Sequence, residues 1–297
     1  MKKLLTRALF PTRDGALVAG NRLRELHALA VAYPLASVDY ALSRARFSRI
    51  RNFLLFIGYP RSGHSLVGTL LNAHPDALIA HEMNALPYFM LGFRRPQILA
   101  LLRRRDDWFE GINRQWSGYD YRVPGASKGQ YKTPTVIGDN RAGGTTWHLR
   151  DDPDLLNTIR RRMNMGLRIV FNIRNPYDNI ATIARQEGRS TANAISRYRD
   201  MTEIICQATR ALPADELHLQ WHEDLVKDPA AQLETLCTFA GLEADQDYLD
   251  RSASIVYPAA RRTRQDHNWS DSDVNAVEDL CREFDFLKRY QGSFGGP

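Results

Sequence analysis

Apolar and polar positions fall along the chain in blocks that read as strands and helices in turn. Residues 53–57 form an unbroken apolar run with phenylalanines at 53 and 56, the pattern of a short strand buried on both faces. Residues 58–65 then hold glycine, proline and small hydroxyl residues, and Leu66, Val67, Leu70 and Leu71 follow with helical spacing. His74-Pro-Asp76 ends that helix. Further strands are predicted at 77–80, 130–138, 167–173 and 216–221, and helices at 153–163, 176–186, 190–211, 229–240 and 272–290. Gly241 is a helix stop, Pro176 fits a first helical turn, and Ser272 looks like an N-cap. Alternating strands and helices predict an α/β protein whose mostly parallel central sheet is covered by helices on both faces.

Residues 1–51 read as an N-terminal helical extension, with Leu17, Leu23, Leu26, Leu29 and Ala30 on a rough apolar stripe. Residues 28–38 are uncharged but too short to span a bilayer, so the chain is expected to have no membrane span, and packing on its own core is the default. Residues 87–130 are aromatic and arginine-rich without clear periodicity, and read as a substrate-contacting loop by location alone. No internal repeat or low-complexity linker divides residues 52–297, which predicts one domain there.

Composition changes this picture little. At 43% hydrophobic and 25% charged, the 297 residues are those of an ordinary globular chain, and +6 is a modest net charge. It gives no reason to expect nucleic acid as a partner. The arginines cluster, however, at 103–105, 160–162 and 261–264. Clustered arginine suits phosphate or sulfate ligands, although the first two clusters read as solvated helix faces. Three widely spaced cysteines, Cys206, Cys237 and Cys281, form neither a disulfide framework nor a metal set. With no signal peptide evident, a reducing, cytoplasmic setting is expected.

The chemistry concentrates where strands end. A strand, a small-residue loop and a helix aim backbone N–H groups and a helix N-terminus at one spot, which makes an anion site, and Arg61 adds a forked positive charge. An ordinary strand-to-helix turn is the competing reading, but Pro60-Arg-Ser-Gly-His-Ser65 is an unusual run for one. Ligands of parallel sheets bind beyond the carboxyl ends of strands, so Glu82, just past residues 77–80, is a candidate general base rather than only a cap or surface group. Arg174-Asn-Pro-Tyr-Asp178 repeats the design after the 167–173 strand, with a plain helix start and its capping network as the competing reading. Thr182 lies two turns into the following helix, placed to share an anion with Arg174 if that helix packs beside the first loop.

Three segments carry a family resemblance. Tyr59-Pro-Arg-Ser-Gly-His-Ser-Leu66 resembles the phosphosulfate-binding loop of sulfotransferases that use 3′-phosphoadenylyl sulfate (PAPS). Arg174-Asn-Pro-Tyr-Asp-Asn-Ile-Ala-Thr182 resembles their 3′-phosphate motif, and Trp221-His-Glu-Asp-Leu-Val-Lys-Asp-Pro229 is similar to their recurring Tyr-Glu-Asp-Leu element. The style of the motifs is closest to the tyrosylprotein and carbohydrate branch. The resemblance implies a P-loop-like fold over residues 52–297, sulfuryl transfer from PAPS to a hydroxyl or amine acceptor by in-line displacement, and release of 3′-phosphoadenosine 5′-phosphate (PAP).

By position it assigns Arg61 and Glu82 to catalysis, with His64 beside them. Ser62, Gly63, His64, Ser65 and Leu66 would wrap the phosphosulfate, and Arg174 and Thr182 would hold the 3′-phosphate. A late loop would close over the nucleotide, with Arg262 or Arg264 on a phosphate and Trp269 near adenine. No metal is required. Thr182 stands where Ser is usual, His64 replaces Thr or Ser, and Asn140, with Arg141 beside it, sits near the place of a functional Lys in the tyrosylprotein branch. The acceptor stays open among carbohydrate, lipid, phenol and peptide, and oligomeric state is unread. A small-molecule kinase is the first alternative, but the loop lacks the Gly-Lys-Ser/Thr that contacts phosphate and Mg²⁺. A catalytically inactive nucleotide-binding module is the second.

Overall fold

The computed structural model describes residues 21–126, 133–152, 154–210 and 212–295. Five strands build the main sheet: β1 (Asn52–Gly58), β2 (Ala77–Ala80), β5 (Val136–Asp139), β6 (Gly166–Ile173) and β7 (Leu217–Trp221). Their order is β2-β5-β1-β6-β7 and every neighbouring pair is parallel. A separate two-stranded ribbon joins β3 (Gln115–Trp116) to β4 (Tyr119–Asp120). From β1 the chain crosses to the β2 edge, comes back to insert β5 between β2 and β1, and then adds β6 and β7 on the other side. This puts the reversal of direction at β1, where such sheets bind ligands beyond the strand ends.

Side chains alternate across β1, so its two faces feed two cores. Phe53, Leu55 and Ile57 join one cluster, which includes Phe89, Ile98, Tyr177 and Ile205, while Leu54 and Phe56 join the other with Val67, Leu70, Leu233 and Leu249. A strand apolar at every position needs cover on both sides, and helices supply it. The His64–Asn72, Pro176–Glu187, Thr191–Thr209 and Pro229–Ala240 helices follow the sequence pattern closely, and Gly241 closes the last with φ 83°. The α/β class and parallel sheet expected from the sequence are those of the structure.

Four expectations need correction or bounding. The 87–130 segment is not one irregular loop: it holds a helix at Arg95–Gly111, opened by Pro96 and by Gln97 capping the Arg94 amide, and then the β3–β4 ribbon. Arg103, Arg104 and Arg105 are buried rather than solvated. Asp39 is the reason for the first two: its carboxylate takes Arg103 Nη2 at 2.6 Å and Arg104 Nε at 3.0 Å, so the charges enter the interior as a cluster. Arg105 donates its Nε to the His81 carbonyl at 2.7 Å. The last helix begins at Asp271, not after Ser272, because Ser270 and Asp273 cap each other's backbone amides reciprocally. That helix also stops at Glu283, and Asp285–Tyr290 is a separate 3-10 helix.

Finally, Leu23, Leu26 and Leu29 face solvent, while Ala28, Ala32 and Ala36 of the same helical stretch join the core. Alanines allow the close approach that lets Asp39 reach its arginines. Leu17 and residues 130–132 lie outside the described residues.

Candidate active site

The carboxyl ends of β1, β2, β5, β6 and β7 deliver five loops to one edge of the sheet. The first runs from Tyr59 to Gly63 and opens the His64–Asn72 helix. Gly63 is the N-cap at φ 92°, and a Cβ on it would meet His222 Nδ1 at 2.7 Å, so glycine is needed both for the turn and for the space. Arg61 adopts φ 66° and is exposed, whereas Ser62 and His64 are buried and Leu66 packs partly into the second core. Leu66 and Val67 donate back to the Gly63 carbonyl at 3.0 and 3.3 Å. The first N–H groups of an α-helix have no intrahelical partner, so this end is a ready anion site.

Glu82 stands beside that loop. Ser65 Oγ donates to its Oε1 at 2.9 Å, His64 Nε2 lies 3.5 Å from the same oxygen, and Arg141 Nη1 donates to Oε2 at 2.6 Å. Burial works to raise the pKa of Glu82, but the imidazole of His64 and the Arg141 guanidinium outweigh it and hold the carboxyl well below its ordinary range. The group is therefore an ionised, well-anchored carboxylate. His64 also meets Ser62 Oγ through Nδ1 at 3.4 Å.

Backbone geometry around Glu82 is built, not incidental. Glu82 and Asn84 sit at φ 48° and 63°, the left-handed region that most residues avoid. Asn140 Oδ1 accepts the Glu82 amide at 2.7 Å, and the buried Asp139 carboxylate accepts the Met83 and Ala85 amides at 2.9 and 2.7 Å. Burial pushes Asp139 up to about 6. Gly68, mid-helix, leaves the room Asn140 occupies: a Cβ there would lie 2.3 Å from Asn140 Nδ2.

The second half of the site comes from β6. Arg174 Nη1 donates to the Arg61 carbonyl at 3.3 Å, and Asn179 Nδ2 donates to the Pro60 carbonyl at 2.7 Å, so the Pro176–Glu187 helix does pack beside the first loop. Arg174 Nη1 and Thr182 Oγ1 are 3.5 Å apart, as their eight-residue spacing proposed. The late loop lies directly on this pair: Arg174 Nη2 donates to the Arg261 carbonyl at 2.7 Å, and Thr263 and Thr182 hydroxyls meet at 2.9 Å.

That loop distributes its residues unevenly. Arg262 is exposed. Arg264 is buried and turned inward, its Nη1 on Asp178 Oδ2 at 2.5 Å, which commits it to an internal ion pair. Trp269 sits edge-on to Tyr177 and His267 at centroid distances of 5.4 and 5.0 Å, and its Nε1 donates to the Arg264 carbonyl at 3.1 Å. Both side chains thus brace the loop from within.

Several site residues were not singled out from the sequence. His222 is one; burial, reinforced by the Arg174 charge, pushes it down to about 4. Glu223 of the same turn accepts the Asn175 amide at 2.9 Å and the Tyr290 hydroxyl at 2.6 Å, so the Glu-Asp element ties β7 to the β6 turn. Tyr121, just after β4, reaches Ser65 with its phenol and feels the charges of Glu82 and Arg61. Trp116, Tyr121 and Phe109 surround His81, whose ring stacks on Phe109 at 3.9 Å and is driven neutral by burial. The ribbon that carries Trp116 and Tyr119 turns through Ser117 and Gly118 at φ 50° and 82°, and a Ser-Gly pair between two aromatics is the signal that announces such a hairpin. Among the described residues seven non-glycines have positive φ; of these, Arg61, Glu82 and Asn84 lie on the two loops, Ser117 is in this ribbon, and Asn113 and Arg114 immediately precede it. Strain therefore gathers where the polar groups converge.

Residues 54–247 match the model of the sulfotransferase family. No curated protein matches the chain in sequence. Among solved structures, the sulfotransferase domain of the Synechococcus PCC 7002 olefin synthase is similar with a TM-score of 0.51 at 17% identity, over 80% of this chain and 96% of that one. A Mycobacterium tuberculosis sulfotransferase gives 0.48 at 13% identity over 98% and 91%. A mouse sulfotransferase complexed with PAP gives 0.46 at 11% identity over 86% and 93%.

Proposed function

The chain belongs to the sulfotransferase family, and from that premise we propose that it takes its sulfuryl group from PAPS and passes it to a hydroxyl or amine of a second substrate. One observation carries the donor assignment: two strand-end turns, each with an arginine, are clasped together, with Arg174 donating to the Arg61 carbonyl at 3.3 Å and standing 3.5 Å from Thr182. A nucleotide with phosphate groups at both ends of its ribose needs such a two-part oxyanion site. The donor set fits PAPS, for Arg174 Nε is buried without a hydrogen-bond partner. A buried guanidinium nitrogen left unpaired is costly, and a bound phosphate relieves it.

In this reading the amides of residues 62–66 and the Ser62 hydroxyl cradle the phosphosulfate, while the Ser65 hydroxyl anchors Glu82. Arg61 stabilises charge spread over the sulfuryl oxygens and the bridging oxygen of the leaving nucleotide. Glu82 receives the proton of the acceptor hydroxyl as its oxygen bonds to sulfur and the sulfur–bridging oxygen bond breaks. His64, with Nδ1 on Ser62 and Nε2 on Glu82, relays orientation from loop to base. Arg174 and Thr182 hold the 3′-phosphate. Because Arg264 is bound to Asp178, any late-loop contact to phosphate falls to the exposed Arg262. The reaction needs preorganised donors and positioning more than covalent help, as in phosphoryl transfer.

Thermal unfolding with saturating PAP, and separately with ATP and Mg²⁺, tests the donor. PAP raises the midpoint and ATP does not. Stabilisation by ATP alone would reverse the assignment toward a kinase. Transfer of label from PAPS to an acceptor panel of sugars, lipids, phenols and peptides then separates an enzyme from an inactive module.

A further inference from the structure

Residues 22–43 form one nearly continuous helix: an α-helical turn at Arg22–His27, a π-turn at Ala28–Ala32, and an α-helix at Tyr33–Ser43. The inner side, with Ala28, Ala32, Ala36 and Asp39, is buried. The outer side presents Leu23 at 80% exposure, Leu26 at 62%, Leu29 at 46%, Val38 at 59% and Leu42 at 83%. Ala30, Pro34 and Ala41, exposed between them, leave the middle of this face without a charge. Most of the large apolar side chains exposed among the described residues are on this one helix.

The π-turn matters to that arrangement. In an uninterrupted α-helix Leu42 would point about 100° away from Leu23, one residue's rotation. The extra residue of the wider turn takes up that rotation and aligns Leu23, Leu26, Val38 and Leu42 along a single stripe. The aligned stripe has exposed arginines at both ends: Arg22 at the start, then Arg44, Arg46, Arg49 and Arg51.

Charge decides the occupant. Residues 1–51 hold ten Lys and Arg against three Asp and Glu, a net +7, whereas the whole chain is +6, so residues 52–297 carry −1. A second copy of this surface would set like charges against each other. We propose that this face docks on an anionic lipid bilayer, the helix lying in the plane of the headgroups with its leucines in the acyl boundary and its flanking arginines on lipid phosphates. Apolar burial and cationic flanks are the two contributions that hold interfacial helices. The site of sulfuryl transfer is a separate surface, so the inference stands or falls apart from the donor assignment.

Co-sedimentation of the full chain with vesicles tests it. The chain pellets with phosphatidylcholine vesicles containing 30 mol% phosphatidylglycerol in low salt, and not with pure phosphatidylcholine. Leu23→Ser/Leu26→Ser/Leu42→Ser lowers the partition coefficient about tenfold or more with an unchanged melting curve, since these positions are exposed. Arg44→Glu/Arg46→Glu weakens binding, and raising salt does the same. The proposal is overturned if the full chain stays in the supernatant with anionic vesicles, or if the triple variant pellets as well as the parent. It is equally overturned if sedimentation equilibrium shows a dimer that the triple variant abolishes while no vesicle binding occurs.

Discussion

Replacing Gly68 with Ala isolates the link between the helix under the anion loop and the base beside it. In an unconstrained helix the change is favourable by about 0.5–1 kcal/mol, because alanine loses less backbone freedom. Here the new methyl falls 2.3 Å from Asn140 Nδ2, 2.6 Å from its Cβ and 2.8 Å from its Cγ. A contact on Cβ cannot be relieved by a rotamer change, so strain of about 1–3 kcal/mol follows. Moving Asn140 also frees the Glu82 amide that its Oδ1 accepts at 2.7 Å, worth about 1–3 kcal/mol for an unsatisfied buried donor. The net is a destabilisation of about 3 kcal/mol, or a melting temperature lower by roughly 5–10 °C. Thermal unfolding followed by circular dichroism reads it directly. Adding Asn140→Ala to Gly68→Ala should cost less than the two single changes summed, the sign of a shared contact. A melting temperature for Gly68→Ala at or above the parent value would refute the interlock.

Further outcomes are expected at four residues. Arg174→Met should weaken PAP about 10–150-fold by isothermal titration, the worth of one charge-assisted hydrogen bond, while 5′-AMP affinity stays unchanged; equal losses for both nucleotides would dissociate Arg174 from the 3′-phosphate. Glu82→Gln should cut transfer by about 10²–10⁴-fold with PAP affinity retained, and survival of turnover would remove Glu82 from the role of base. Its carboxyl is held well below its ordinary value, so the acceptor kcat/KM should show no acid limb from Glu82 at ordinary carboxylate pH; a limb near pH 4.5 that Glu82→Gln abolishes would contradict the depressed pKa. Asp139 works in the opposite sense: burial raises it to about 6, so its contribution to stability is complete below the unfolded value and lost as pH rises from about 4 through 6. Asp139→Asn should flatten that part of a stability–pH curve measured by urea unfolding, and an unaltered slope would exclude it. Tyr121→Phe should change acceptor kinetics but leave PAP binding alone, since its phenol reaches Ser65 and the Glu82 charge.

The central sheet and the first loop were legible because a strand buried on both faces is apolar at nearly every position; residues 53–57 are wholly so, and 167–173 are so apart from Arg168 and Asn172. The approach of Thr182 to Arg174 was expected only on condition that the Pro176–Glu187 helix packs beside the first loop, and it does. Less could be read where partners are distant in sequence. The arginines at 103 and 104 look like any solvated run until Asp39, more than sixty residues earlier, is brought beneath them. Arg264 has the right place for a phosphate ligand, but only the fold reveals that Asp178 already holds it. Likewise the stripe at Leu23, Leu26 and Leu29 signals a helix without saying which side is wet. Tyr121 carries no motif, and its place beside Ser65 follows from the ribbon's path.

The sheet order carries a consequence for biosynthesis. The first strand made is the middle one, and its neighbours β5 and β6 begin only at Val136 and Gly166. At about 5–20 residues per second, the ribosome needs roughly 4–16 s to pass from Gly58 to Val136. During that interval the most apolar strand of the protein has no edge to pair with, and the helices that cover its two faces are mostly unmade. Nascent chains stalled before and after β5 should therefore differ sharply in their demand for chaperone cover, and slowing translation ahead of Val136 should lower the soluble yield more than slowing it after β6.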